Sequence, residues 1–128
     1  MAFTYKSKYV SFNIDDINAP LLYCVYEIVG NWNDLEKYLR GTIGKDPMEP
    51  VGGDPGWHLC PPDDESPLYY AWVWEELGLE PNEGYYDEAT VKYHIREAFD
   101  NMLSQHPDRR NEIECIFEKY DLKPNKEE

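Results

Sequence analysis

The residue types that could do chemistry gather near the middle of this chain, where His58-Leu59-Cys60 is followed closely by Asp63-Asp64-Glu65. Imidazole, thiolate and carboxylate are the ligands of zinc or manganese, and a metal held by them would activate water for hydrolysis. The spacing does not complete such a site. A His-x-Cys pair lacks the second ligand pair of a tetrahedral zinc centre, and the acids lack the Asp-x-Asp-x-Asp-Gly register of a calcium loop. A small metal-dependent hydrolase built on His58, Cys60, Asp63 and Asp64 is therefore one functional reading but ranks third, and no metal or cofactor is assigned.

Other catalytic arrangements fare no better. Glu75 and Glu76 would project about 100° apart on a helix and cannot jointly flank a bond. His94 and Glu97 are spaced to orient a general base, yet this spacing also arises as an ordinary helix surface contact. A cysteine nucleophile needs a positive setting, and the formal net charge here is −14. Gly52-Gly53 has neither the following Lys-Ser nor the preceding strand of a phosphate loop. No catalytic residue is assigned, and the chain is read as a non-enzyme.

Binding chemistry is better supplied. Between Asp46 and Val91 stand twelve Asp and Glu residues and no Lys or Arg, so this stretch holds −12 of the net charge. Seven Trp and Tyr residues are threaded through it: Trp57, Tyr69, Tyr70, Trp72, Trp74, Tyr85 and Tyr86. Roughly half of these rings are expected to pack in the core, and the rest supply rigid anchors for a partner. Carboxylates around them would steer a cationic partner and pair with its Lys and Arg. The expected binding residues are Asp54, Trp57, Asp63, Asp64, Glu65, Tyr70, Trp74, Glu75, Glu76, Tyr85 and Tyr86. Direct nucleic-acid binding is disfavoured, because the basic clusters that grip phosphates are missing.

These residues must be positioned by a small domain. A chain of 128 residues with 41% apolar content folds as one unit without staples. Cys24, Cys60 and Cys115 are widely spaced and odd in number, which suggests reduced thiols. No segment approaches the ~20 apolar residues of a membrane span, and the start of the chain has no apolar run behind its lysines, so a cytoplasmic location is expected. Residues 9–14 alternate as a half-buried strand would. Asn18 and Pro20 open a helix that Gly30 ends, and Asn33 caps a second one closed by Gly41 or Gly44. Residues 45–65, rich in proline and glycine, form a long loop. Ser66-Pro67 and Gly78 bracket a helix over 68–77, followed by a short acidic connection. Asp87 caps the first arm of an αα-hairpin, with Val91, Ile95, Ala98, Phe99 and Met102 inward; Pro107 opens the second, with Ile113, Ile116, Phe117 and Tyr120 inward. The expected fold is mainly α: a single domain over 1–120, with about five helices, an N-terminal extended segment and a frayed tail at 121–128. The alternative is α+β, with 9–14, 21–29 and 68–75 as strands.

In layout the chain resembles the small, acidic immunity proteins that neutralise secreted bacterial nuclease toxins, including those of contact-dependent growth inhibition. The likeness rests on the base-free stretch from Asp46 to Val91, above all Asp63-Asp64-Glu65, Tyr69-Tyr70, Trp72, Trp74-Glu75-Glu76 and Tyr85-Tyr86-Asp87-Glu88. It implies a tight one-to-one complex with the toxin's C-terminal nuclease domain, in which carboxylates fill the basic groove meant for nucleic acid. Such proteins share a role more than a fold, so no residue role transfers by position. The second reading is a phage-type inhibitor that mimics nucleic acid, as an anti-CRISPR protein would. The prolines between Pro47 and Pro67 work against the regular array that mimicry needs.

Overall fold

The computed structural model describes residues 4–6, 9–46, 51–53, 56–63 and 65–123. Strands β1 (Thr4–Lys6) and β2 (Ser11–Asn13) form a two-stranded antiparallel ribbon. The central element is helix α1 (Ala19–Gly30), buried almost all round through Leu21, Leu22, Tyr23, Cys24, Val25, Ile28 and Val29. Pro20 sits in its first turn, where a missing N–H leaves no bond unmade. A single 3₁₀ turn, Trp32–Asp34, leads into helix α2 (Leu35–Gly41). The capping side chain there is Asn31, whose Oδ1 accepts from the Asp34 N–H at 3.4 Å, rather than the expected Asn33.

Four strands follow: β3 (Gly52–Gly53), β4 (Trp57–Cys60), β5 (Tyr69–Val73) and β6 (Glu83–Tyr86). They form one antiparallel sheet in sequence order. Helices α3 (Glu88–Gln105) and α4 (Arg110–Lys119) make the C-terminal hairpin, joined by a 3₁₀ turn at Pro107–Arg109. Asp87 caps α3 as its sequence position implies, Oδ1 accepting from the Thr90 N–H at 2.8 Å. The expected inward row of α3 is buried throughout. One face of α1 packs on β4, β5 and β6, while another meets α3. Arg96 lies 3.7 Å from the Phe117 ring centroid and donates to the Leu122 carbonyl at 2.7 Å. That pair of contacts ties the end of α4 back onto α3. Residues 124–128, the greater part of the expected frayed tail, lie outside the described residues.

The mainly α bundle of about five helices is corrected: among the described residues, four α-helices stand with an antiparallel sheet, an α+β layout. Residues 21–29, a strand in the alternative reading, lie within α1, whereas 11–13 and 69–73 are strands. The helix expected over 68–77 rested on its brackets, and both brackets serve other structures. Pro67 precedes a strand, and Gly78, at φ +84°, ends a 3₁₀ turn, Glu75–Leu77. Between them Tyr69, Ala71 and Val73 are buried while Tyr70 and Trp72 are half-buried, the alternation of a pleated strand. Tyr, Trp and Val fit that surface better than a helix. The long loop at 45–65 is broken by β3 and β4, and the acidic connection holds β6.

Candidate functional site

Period two in the sheet divides its side chains sharply. Trp57, Leu59, Tyr69, Ala71, Val73 and Tyr86 face the helices and are buried. Trp57 meets Tyr38 of α2 edge-to-face, with ring centroids 5.6 Å apart. The Tyr69 hydroxyl donates to the Thr42 carbonyl at 3.2 Å, and the Cys24 thiol donates to the His58 carbonyl at 3.4 Å. Tyr86 reaches across the inner face of β6 to donate to the Ile17 carbonyl at 3.0 Å. Gly84 makes room for it, since a Cβ there would stand 2.6 Å from the Tyr86 hydroxyl.

The opposite face of the sheet carries His58 and Cys60 on β4, Tyr70 and Trp72 on β5, and Glu83 and Tyr85 on β6. Register sets the neighbours: His58 stands opposite Trp72, Cys60 opposite Tyr70, Tyr70 opposite Tyr85, and Trp72 opposite Glu83. The imidazole of His58 stacks on the Trp72 indole at 5.2 Å and 25°. It also lies 5.6 Å from the Tyr70 ring, which in turn is 5.1 Å from Tyr85. A continuous aromatic ladder thus crosses three strands, ending at Tyr85, which is 63% exposed. Such cross-strand pairs hold a sheet face rigid.

Electrostatics on this face favour neutral rings beside fixed carboxylates. The Tyr70 hydroxyl donates to Glu83 Oε2 at 2.9 Å. Partial burial, aided by that carboxylate, pushes the Tyr70 phenol up to about 12. Burial lowers the His58 pKa, so its imidazole stays neutral near pH 7. Burial also raises the Cys60 thiol, with Asp63 adding to the rise, and a thiol held protonated is a poor nucleophile and a poor metal ligand. Among the described residues, no group of three or more His, Cys, Asp or Glu side chains is arranged to hold a metal.

The expected binding residues fall into three places. Tyr70 and Tyr85 lie on the outer face, and Trp57 and Tyr86 are in the core, where they hold the sheet to the helices. The other described residues bracket the face from opposite ends of β5. Asp63 and Glu65 occupy the turn before it, where Asp63 Oδ1 accepts from the Glu65 and Ser66 N–H groups at 2.8 and 3.0 Å. Trp74, Glu75 and Glu76 follow it and are exposed. A strand of five residues, about 17 Å long, separates the two groups. Asp54 and Asp64 lie outside the described residues.

Trp72, His58 and Glu83 belong to this face and were not among the expected binding residues. The helix expected over 68–77 does not put Trp72 and Tyr70 on one face, whereas a count at period two does. His58 entered only as a metal ligand, and nothing local in the sequence marks it as Trp72's cross-strand neighbour. No protein-family model matches the chain, and no curated protein or solved structure matches it.

Proposed function

We propose that this protein is an inhibitor of the immunity type, binding a basic nuclease toxin domain one-to-one through the outer face of its sheet. The observation that carries this reading is the pairing of a partly exposed aromatic ladder with a stretch that contributes carboxylates and no bases. The rings would supply the desolvated centre of the interface, and Glu83, Glu75, Glu76, Asp63 and Glu65 its charged rim. A mimic of duplex nucleic acid would need its acids at the centre in a regular row, whereas here they surround rings. Among the described residues no helix is long and apolar enough to cross a membrane. The reading places the protein in the cytoplasm, where an incoming nuclease would have to be met.

The test is to co-purify the protein with the nuclease domain of a secreted toxin encoded beside its gene, and to assay cleavage and survival. A one-to-one complex without nuclease activity is expected, and Tyr85→Ala combined with Glu83→Lys should abolish protection while leaving the fold intact. Absence of any complex, or full protection by the double variant, would refute the reading.

A further inference from the structure

Three cation–π contacts are present among the described residues, and all lie off the sheet: Arg96 on Phe117, Arg109 on Trp32 and Lys119 on Tyr120. Among the described residues the sheet's outer rings have none. Glu83 likewise takes part in no ion pair among the described residues, although Tyr70 holds its carboxylate in place at 2.9 Å. Trp72 has His58 stacked against it from β4, and on the β6 side its register partner is Glu83. Next along the same pair of strands come Tyr70 and Tyr85, their planes tilted by 42°. The face therefore holds π faces and an anion side by side, and among the described residues no cation is brought to them.

We infer that this corner of the sheet, formed by Trp72, Tyr70, Tyr85 and Glu83, is a subsite for an arginine side chain of the protein partner. This deepens the inhibitor reading and rests on it for the identity of the partner. A guanidinium is planar and weakly hydrated, so it can lie on a ring and still offer N–H donors in its plane to a carboxylate. An ammonium is compact and strongly hydrated and gains less from an open ladder that does not enclose it. The neutral state of His58 matters to this subsite, because an imidazolium stacked on Trp72 would repel the incoming cation.

The subsite can be tested without a toxin, by titrating the protein with nona-arginine and nona-lysine peptides at equal ionic strength and following side-chain NMR resonances. Nona-arginine should bind about two- to fivefold more tightly than nona-lysine and move the Trp72 indole and the Tyr70 and Tyr85 rings. Glu83→Gln, an exposed change that spares the core, should weaken nona-arginine by a similar factor, and Glu112→Gln on α4 should not. Equal affinities for the two peptides, or shifts spread over the helices with the face unmoved, would overturn the subsite. The two proposals also fail separately. Nona-arginine binding at this face in a protein that engages no nuclease would sustain the subsite and sink the inhibitor reading. A nuclease complex lost in the Tyr85→Ala, Glu83→Lys double variant, in a protein that binds nona-arginine and nona-lysine equally, would do the reverse.

Discussion

His94 on α3 lines a small cavity with Val10, Leu22 and Ala98, and its Nδ1 is buried with no hydrogen-bond partner among the described residues. Burial lowers its pKa and outweighs the opposing pull of Glu97 and Asp16. Burial lowers that of His58 as well. A histidine whose pKa is lower in the folded state contributes stability that is present above its unfolded value of about 6.5 and is lost as pH falls towards the folded value. Over that window the unfolded chain takes up protons that the native state refuses. Urea unfolding should therefore show stability declining as pH drops from about 7 into the range below 6.5. His94→Gln should flatten the decline, and an unchanged slope in that variant would show that the buried ring is not its source. Asp87 and Glu88 titrate below their ordinary values, held down by Thr90 and chiefly by Lys45, so their share is lost only at more acidic pH.

At the scale of elements, β5 carries the main lesson about what could be read in advance. Helices α1 and α3 were legible because their signals are local: Pro20 early, Gly30 late, Asp87 as cap, and an apolar row at helical spacing. Tyr69–Val73 offers no comparable signal, since five residues satisfy two periods and the proline and glycine around them mark turns as readily as helix ends. What decides the matter is pairing with β4 and β6, long-range information that no window on the sequence contains. The candidate site suffered in the same way. Its acids and rings were visible as a stretch, but which rings face out follows from the pleat. The two faces of the sheet should answer differently to mutation. Trp57→Ala removes a buried ring and should cost about 3–5 kcal/mol, whereas Tyr85→Ala on the outer face should stay within about 0.5 kcal/mol. Chemical denaturation of both variants checks this, and similar costs would mean the faces are wrongly assigned.

For the whole molecule, charge is partitioned along the chain and with it in space. Outside the base-free stretch, fourteen acids stand with twelve bases. There the charges serve the scaffold, as in Lys119 with Glu36 of α2 at 3.3 Å and Arg96 with Asp100 at 3.0 Å. Within the stretch, Glu88 at the start of α3 pairs with Lys45 and Lys92, while the acids around the sheet add to a common negative field. Association with a basic partner should then be salt-sensitive through its rate. From ~0.05 to ~0.5 M salt the association rate constant should fall about tenfold or more, with dissociation much less affected. Stopped-flow measurement gives both constants, and a flat association rate would remove steering from the mechanism.

The pleat of β5 also bears on how such a protein can change over generations. Inserting one residue between Ala71 and Trp72 would exchange the faces beyond that point, turning Val73 outward and Trp72 into the core. Length in this strand is therefore locked, while every second position lies outside the buried core. On the proposed function, point substitutions at Tyr70, Trp72, Glu83 and Tyr85 alone would rewrite the partner bound, keeping the hidden half of the same strands as an unaltered chassis.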